Sequence, residues 1–283
     1  MKRFDEILHN GYSQSFEVTR VLFHEKTEHQ DLIIFETPIF GRVMALDSIV
    51  QVTTKDEFVY HEMMTHVPIL AKGDVQDVLI IGGGDGGILR EVLRHKSVKR
   101  ATMVEIDRSV VDLCQDHLPE ISDGAFDDPR TNLIIADGVK FVAETDQRFD
   151  VIIVDSTDPI GPGEVLFTES FYASCHQCLK DGGVLVTQNG VPFFQGSEVV
   201  DTDQRMAKSF KDNGFYTAVV PTYIGGFMTL GWASDDAGLR DIPVEILRER
   251  FESANICTRY YTPDMHKGAF ALPPFIKDLL KPR

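Results

Sequence analysis

Hydrophobic and polar positions alternate along the beginning of the chain with the period of β-strands. β-Branched and aromatic residues are concentrated in the segments 16–23, 31–36, 41–46 and 49–53, and Gly, Pro, Asp or Ser separate several of them. No helical period of any length intervenes between residue 12 and about residue 54. The pattern therefore predicts a small antiparallel β meander at the start of the chain.

The period changes after residue 53. Thr54 and Glu57 have the spacing of a capping box, which predicts a helix that begins there and runs towards Pro68. From Val75 onward, almost continuously apolar segments alternate with stretches of helical length, such as 88–94 and 166–180. The predicted buried strands are 78–81, 101–105, 131–135, 151–154 and 183–187. Further along, the segments 217–223 and 227–233 predict a hairpin.

These elements predict an α/β fold. Buried strands joined by helical crossovers form a parallel sheet that is covered on both faces. A mostly parallel sheet closed by a C-terminal antiparallel hairpin is typical of methyltransferase-like Rossmann folds, whereas two equal βαβαβ halves would indicate a dinucleotide fold. We predict an antiparallel β domain with a linking helix at residues 1–66 and a methyltransferase-like α/β catalytic domain at residues 67–283.

Charge and composition limit the kinds of molecule that the protein is expected to bind. The 44 acidic residues outnumber the 28 Lys and Arg residues and give a net charge of −16. Such a field repels nucleic acid and anionic membrane surfaces and attracts small cations. No stretch approaches the ~20 apolar residues of a membrane span, and four cysteines are too few for a disulfide framework. We expect a cytoplasmic protein with no nucleic-acid or membrane partner.

A glycine-rich loop, residues 82–87, follows the first buried strand of the parallel sheet. Glycines at this place let the backbone turn tightly and let a ligand approach it closely. Glu105 ends the next strand, where a carboxylate accepts hydrogen bonds from ribose hydroxyls, so a nucleoside is indicated. Asp85 within the loop would repel a pyrophosphate but would hold an amine or a sulfonium. The alternative is that Asp85 only caps the helix and points away from any ligand.

Further acids follow the next strands of the sheet. Asp137 follows the third strand, and Asp155 and Asp158 follow the fourth. Because ligands of open α/β sheets bind outside the carboxyl ends of the strands, all of these acids should face one crevice. The segment 155–164 contains no Lys or Arg for a phosphate, and its acids alternate with residues that do not ligate metals. The predicted ligand therefore carries several positive charges and is held by carboxylates and aromatic rings.

Two motifs that resemble metal sites have a simpler explanation. Cys175 and Cys178 lie on one helical stripe with Phe171, and the chain has no second Cys-x-x-Cys, so core packing is expected. His61 and His66 are five residues apart, about 140° around a helix, so one metal ion does not readily take both. We predict no metal site.

Six segments of the chain together resemble the spermidine synthases, of bacterial type, and the resemblance extends from the β meander to Pro273. The resemblance implies transfer of an aminopropyl group from decarboxylated S-adenosylmethionine to putrescine, giving spermidine and 5′-methylthioadenosine. It also implies a homodimer or homotetramer and small-molecule polyamine substrates. The displacement needs no metal or redox cofactor, because the leaving thioether is neutral. The segments are 31–36, 41–47, 56–62, 82–87, 104–107 and 155–162.

The resemblance also assigns roles to individual residues. Asp155 would be the base, and Asp85 would hold the amine of the aminopropyl arm. Phe4 stands about where family members often have Trp. The rival hypotheses are a methyltransferase, a nicotinamide dehydrogenase and a polyamine-binding protein without catalytic activity. The implied nucleoside contacts are Gln30, Glu105, Asp137, Gly138 and Pro162, and the implied contacts to the acceptor amine are Tyr60, His61, Asp158 and Tyr223.

Overall fold

The computed structural model describes residues 2–26, 30–156 and 165–281, which form three β-sheets and the helices that flank them. The strands are β1 (Arg3–His9), β2 (Tyr12–Glu17), β3 (Arg20–Lys26), β4 (Asp31–Thr37), β5 (Gly41–Leu46), β6 (Ile49–Thr53), β7 (Asp77–Gly82), β8 (Arg100–Glu105), β9 (Thr131–Ile135), β10 (Phe149–Asp155), β11 (Leu179–Asn189), β12 (Asp212–Ala218) and β13 (Met228–Ser234). The helices are α1 (Glu57–Lys72), α2 (Gly87–Arg94), α3 (Arg108–His117), α4 (Pro119–Ser122), α5 (Gly138–Glu144), α6 (Glu169–Cys178), α7 (Pro192–Met206), α8 (Val244–Ala254), α9 (Pro263–Ala269) and α10 (Pro274–Leu279).

The predicted meander is confirmed for β3 to β6, which pair in order as an antiparallel sheet. The prediction of one strand over 16–23 is wrong, because the chain leaves one sheet after Glu17 and enters another at Arg20. Phe16 pairs with Phe4 of β1, a strand that was not predicted, whereas Val21 pairs with Phe35 of β4. The two sheets nevertheless share a core, because Phe4, Phe16 and Phe35 pack in one cluster.

Helix α1 begins without the predicted capping box. The Thr54 hydroxyl accepts a hydrogen bond from Arg42 N (3.1 Å), and the N-cap residue is Asp56, whose side chain makes no capping bond. The Asp56 carboxylate instead accepts bonds from the Thr53 hydroxyl and from Thr222 N. The predicted end near Pro68 is also too early, since the helix continues to Lys72. The division of the chain at residue 66 stays a prediction.

The seven-stranded sheet confirms the predicted fold class. Its order is β12-β13-β11-β10-β7-β8-β9, with β7 to β11 parallel and β13 antiparallel to both of its neighbours. The hairpin prediction is confirmed, but β12 covers Asp212–Ala218, so the predicted strand residues 219–223 belong to its connection. This order places the carboxyl ends of β7, β8 and β10 beside one another, where an open α/β sheet binds its ligands.

Apolar clusters cover both faces of the large sheet. Val78 and Ile80 of β7 face the cluster under α1 and α2, and Leu79 and Ile81 face the cluster under α6. Cys175 and Cys178 belong to the second cluster, so their predicted packing role is confirmed. Within the described ranges, no group of His, Cys, Asp or Glu side chains could hold a metal ion, and no helix is long and apolar enough to cross a membrane.

A further apolar cluster joins the four-stranded sheet to α3, the helix that follows β8 of the large sheet. Leu32, Ile34 and Met44 of the four-stranded sheet pack against Val110 and Cys114 of α3. All five side chains are buried. At roughly 25 cal/mol per Å² of buried apolar area, such a contact stabilises the arrangement of the two sheets. The four-stranded sheet is therefore held over the edge of the large sheet from which the acids project.

Candidate active site

A cavity of about 540 Å³ lies over the carboxyl ends of β7, β8 and β10. Its walls come from both the large sheet and the small ones, since β1, β5 and β6 also contribute side chains. Asp158 and Pro162 of the predicted site lie outside the described residues. The other nine predicted residues all line this cavity: Gln30, Tyr60, His61, Asp85, Glu105, Asp137, Gly138, Asp155 and Tyr223.

The glycine loop packs directly against the end of β10. Gly82 has φ +82°, and a Cβ on it would lie 2.0 Å from the backbone oxygen of Asp155. Gly83 N donates a hydrogen bond to the same oxygen (3.1 Å). Only a residue without a side chain fits this close approach and this conformation. The loop therefore fixes the backbone position from which the Asp155 side chain enters the cavity.

Asp85 precedes Gly86, the N-cap residue of α2, and its side chain both bonds the start of the helix and faces the cavity. Its Oδ1 accepts a hydrogen bond from Gly87 N at the start of α2 (2.7 Å), and its Oδ2 lies 3.4 Å from Nε2 of His61. The hypothesis of a cap that points away from any ligand is therefore only half correct. One oxygen is used by the helix, while the carboxylate still lines the cavity.

Asp155 is a partly buried carboxyl group with an unusual proton affinity. Its Oδ1 accepts a hydrogen bond from the Tyr60 hydroxyl (2.7 Å). Burial and the neighbouring charge of Asp85 raise the pKa of Asp155 to about 7, although His61 and the Tyr60 hydrogen bond act in the opposite direction. A carboxyl group with such a pKa is suited to accept a proton near neutral pH.

The side of the cavity predicted to bind a nucleoside is already ordered by hydrogen bonds. Glu105 Oε1 accepts a bond from Asp107 N (2.9 Å), and Asp107 Oδ2 accepts one from Gln30 Nε2 (3.1 Å). Burial raises the pKa of Glu105. Asp137 caps α5 by accepting a bond from Val139 N (2.9 Å), as expected for an N-cap Asp.

Gly138 needs its small size for packing. A Cβ on Gly138 would lie 2.5 Å from Cγ2 of Ile81, a buried residue of β7. The absence of a side chain lets the first turn of α5 approach the sheet beside Asp137. This brings the Asp137 cap and the end of β7 to the same part of the cavity wall.

Two tyrosines form an aromatic corner on the other side. The rings of Tyr60 and Tyr223 meet edge to face with centroids 6.0 Å apart. The Tyr223 hydroxyl donates to the backbone oxygen of Gln51 in β6. Tyr223 therefore connects the hairpin of the large sheet with the four-stranded sheet.

Two buried acids in or beside the cavity were not predicted as site residues. Glu6 of β1 lines the cavity and accepts a hydrogen bond from Val50 N (2.7 Å). Its strand was not predicted, although Phe4 and Glu6 are both buried at alternate positions of that strand. Glu57 contacts His61 one helical turn further on, and this i, i+4 spacing was the available signal.

The fold and the site define a transferase of the methyltransferase-like Rossmann class whose cavity is lined by carboxylates. A family model described as "Spermine/spermidine synthase domain" matches residues 57–241, and one described as "Spermidine synthase tetramerisation domain" matches residues 3–54. The chain therefore belongs to the spermine/spermidine synthase family, the polyamine aminopropyltransferases. This confirms the resemblance seen in the sequence.

Individual relatives agree with this assignment. The chain is 60% identical over 276 residues to polyamine aminopropyltransferase 1 of Pseudomonas aeruginosa, covering 98% of this chain and 96% of that protein. It is 56% identical over 279 residues to the polyamine aminopropyltransferase of Escherichia fergusonii, covering 99% and 97%.

Solved structures of similar proteins share the whole fold. A spermidine synthase in complex with the transition-state analogue AdoDATO superimposes with a TM-score of 0.93 at 38% identity, covering 98% of this chain and 94% of that one. The spermidine synthase of Thermotoga maritima gives a TM-score of 0.90 at 36% identity, covering 98% and 93%. Membership of this family excludes the methyltransferase and dehydrogenase hypotheses, and the match of residues 3–54 supports an oligomer.

Proposed function

We propose that the enzyme transfers the aminopropyl group of decarboxylated S-adenosylmethionine to putrescine and releases spermidine and 5′-methylthioadenosine. The observation that carries the proposal is the pair of carboxyl groups, the buried Asp85 and the partly buried Asp155, that line the cavity beside the glycine loop. A nitrogen of the acceptor attacks the carbon next to sulfur, the C–S bond breaks, and the neutral thioether leaves with the bonding electrons. The proton of the attacking nitrogen passes to Asp155.

The raised pKa of Asp155 lowers the free-energy cost of this proton transfer. A primary amine has a pKa of roughly 10.4, so freeing it at pH 7 costs about 4.6 kcal/mol. An ordinary Asp would differ from the amine by about 6.5 pKa units. With a pKa of about 7, Asp155 differs by only about half as much. Alignment of nitrogen, carbon and sulfur supplies the remaining acceleration, and the proposed displacement requires no metal or redox cofactor.

Different parts of the cavity wall are chemically suited to different groups of the two substrates. In the proposal, Gln30, Glu105, Asp137 and Gly138 contact the nucleoside, together with Pro162, which lies outside the described residues. Asp85 holds the ammonium of the aminopropyl arm. Tyr60 and Tyr223 face the acceptor amine, and Asp158 is assigned to the same amine. The proposed enzyme is a cytoplasmic homodimer or homotetramer with no nucleic-acid or membrane partner.

A product assay tests the proposal directly. The protein is incubated with decarboxylated S-adenosylmethionine and, separately, with putrescine, cadaverine or spermidine, and the products are identified by mass spectrometry. We expect spermidine and 5′-methylthioadenosine in equal amounts with putrescine. No aminopropylated product with any of the amines would overturn the proposal. A faster reaction with another amine would overturn only the choice of putrescine.

The pH dependence of kcat/KM should follow the ionisation of Asp155. Because Asp155 must be ionised to accept a proton, we expect kcat/KM to fall as the pH drops below about 7. The fall in kcat should lie at lower pH, since bound cations favour the carboxylate. In Tyr60→Phe, which removes a hydrogen bond that lowers the pKa of Asp155, the fall in kcat/KM should move to higher pH. Steady-state rates measured from pH 5.5 to 9 check this; an unmoved limb in Tyr60→Phe would contradict it.

A further inference from the structure

A row of buried charged groups runs from the active site into the contact between α1 and α2. Both ring nitrogens of His61 have a carboxylate partner: Nδ1 lies 2.6 Å from Oε2 of Glu57, and Nε2 lies 3.4 Å from Oδ2 of Asp85. The ring itself is only 2% exposed. A ring held on both sides in this way has no nitrogen left to contact an acceptor amine.

Glu57 is in turn held by Arg90 of α2. Arg90 Nη2 donates to Glu57 Oε2 (2.8 Å), and Arg90 Nη1 donates to the backbone oxygen of Ile121 (2.6 Å). Arg90 Nε also donates to Oε1 of Glu91 (2.9 Å). The guanidinium therefore has two anchors besides Glu57, and its position does not depend on Glu57 alone.

The charged groups of this row stabilise the ionised forms of their neighbours. Burial disfavours a charged His61, but Asp85 and Glu57 outweigh it and raise the pKa of His61 to about 10. Burial likewise opposes the ionisation of Glu57, but His61 and Arg90 lower its pKa to about 2. At neutral pH His61 is therefore a cation between the anions Glu57 and Asp85, and Arg90 is a second cation beyond Glu57. Asp155 at the end of β10 also interacts electrostatically with His61, whereas Arg90 on α2 pairs with Glu57, the partner of His61.

We propose that Glu57 is a positioning residue of the aminopropyltransferase reaction, and that it acts by holding His61 as a fixed cation against Asp85. A charged His61 would repel the remote ammonium of the acceptor, so this role replaces the contact to the acceptor amine that the resemblance implied for His61. The cation orients one oxygen of Asp85 and offsets part of the negative charge that Asp85 and Asp155 share when no substrate is bound. This inference rests on the proposed roles of Asp85 and Asp155.

The test is Glu57→Gln, which keeps the shape of the side chain but removes its charge. His61 then loses one of the two carboxylates that raise its pKa and is held less firmly against Asp85, which remains the larger influence. Because the charge of His61 lowers the pKa of Asp155, any loss of that charge raises the pKa of Asp155. We expect the KM of the aminopropyl donor to increase about tenfold, which is roughly 1.4 kcal/mol of donor binding. We also expect the acid limb of kcat/KM to move up by about one pH unit, with the KM of the acceptor changed less than about twofold.

The chain offers a matched control on the same helix. Glu62 is 1% exposed and accepts backbone hydrogen bonds from Arg259 N (2.7 Å), Tyr260 N (2.8 Å) and Tyr261 N (2.7 Å). Glu62→Gln should lower the melting temperature without changing the donor KM or the acid limb. A merely structural Glu57 would make Glu57→Gln behave like this control, and that result would overturn the inference.

A second measurement uses the unchanged enzyme and therefore does not depend on the folding of a variant. Nitrogen NMR of the labelled imidazole should show His61 protonated at pH 8, with both ring N–H groups present. A neutral His61 ring at pH 8 would overturn the inference. Failure of the proposed function is recognised separately, because the wild-type enzyme would then form no aminopropylated amine at all.

Discussion

Asp155→Asn is expected to lower kcat by at least about 1000-fold, because an amide can accept the hydrogen bond from Tyr60 but cannot take a proton from the attacking amine. The nucleoside wall does not include the lost charge, so the affinity for 5′-methylthioadenosine should stay within about threefold. Single-turnover product formation measures the first quantity and isothermal titration calorimetry the second.

The control for this variant lies at the other end of the same strand. Asp150 is buried and accepts hydrogen bonds from Gln76 N and Asp77 N (both 2.8 Å). Asp150→Asn should reduce the melting temperature while kcat stays within about twofold, because Asp150 does not reach the cavity. Normal turnover in Asp155→Asn would remove Asp155 from its proposed role, and loss of nucleoside binding would show that the variant disturbs the glycine loop.

Asp85→Asn is expected to raise the KM of the aminopropyl donor by about 100-fold, or roughly 2.7 kcal/mol, since a buried charge-assisted contact is lost. Asn can still accept the hydrogen bond from Gly87 N that begins α2. Because the charge of Asp85 raises the pKa of Asp155, the acid limb of kcat/KM should move to lower pH in this variant. That direction is opposite to the one expected for Glu57→Gln. Initial rates at varied donor concentration and pH give both quantities.

A binding comparison separates the charge of Asp85 from the shape of the loop. 5′-Methylthioadenosine has no aminopropyl amine, so its affinity for Asp85→Asn should be close to that of the wild-type enzyme. The control variant is Asp212→Asn at the far end of β12, where Asp212 pairs with Arg240. It should leave the donor KM unchanged. A donor KM within about threefold of the wild-type value in Asp85→Asn would contradict the assignment of Asp85 to the donor amine.

The parts of the site that the sequence predicts are those that follow from the ends of parallel strands. Glu105 and Asp155 end strands of the large sheet, and Asp85 and Asp137 follow two others. Parallel strands bring their carboxyl ends to one edge of the sheet. The glycine loop was predictable for the same reason, since it also follows a buried strand. These residues line one cavity because of topology alone, and no knowledge of side-chain packing was needed.

Other features depend on contacts between distant segments and have only weak local signals. The segment 16–23 has a continuous strand pattern, yet Phe16 and Val21 pair with strands of different sheets. Glu57 has the spacing of a capping residue relative to Thr54, but its carboxylate pairs with His61 and with Arg90 of α2. Local propensity is a weak guide where a buried charge finds its partner on another element.

The contact of the four-stranded sheet with α3 has a consequence for how the chain could have been assembled in evolution. Residues 3–54 match a model named for tetramerisation, yet within a single subunit they bury the apolar side of α3 and supply cavity walls such as Gln30 and Glu6. A chain without them would expose Val110 and Cys114 and would leave the cavity open on that side. The segment is therefore not a detachable module, and changes in subunit assembly and in substrate choice must be accommodated by the same few strands.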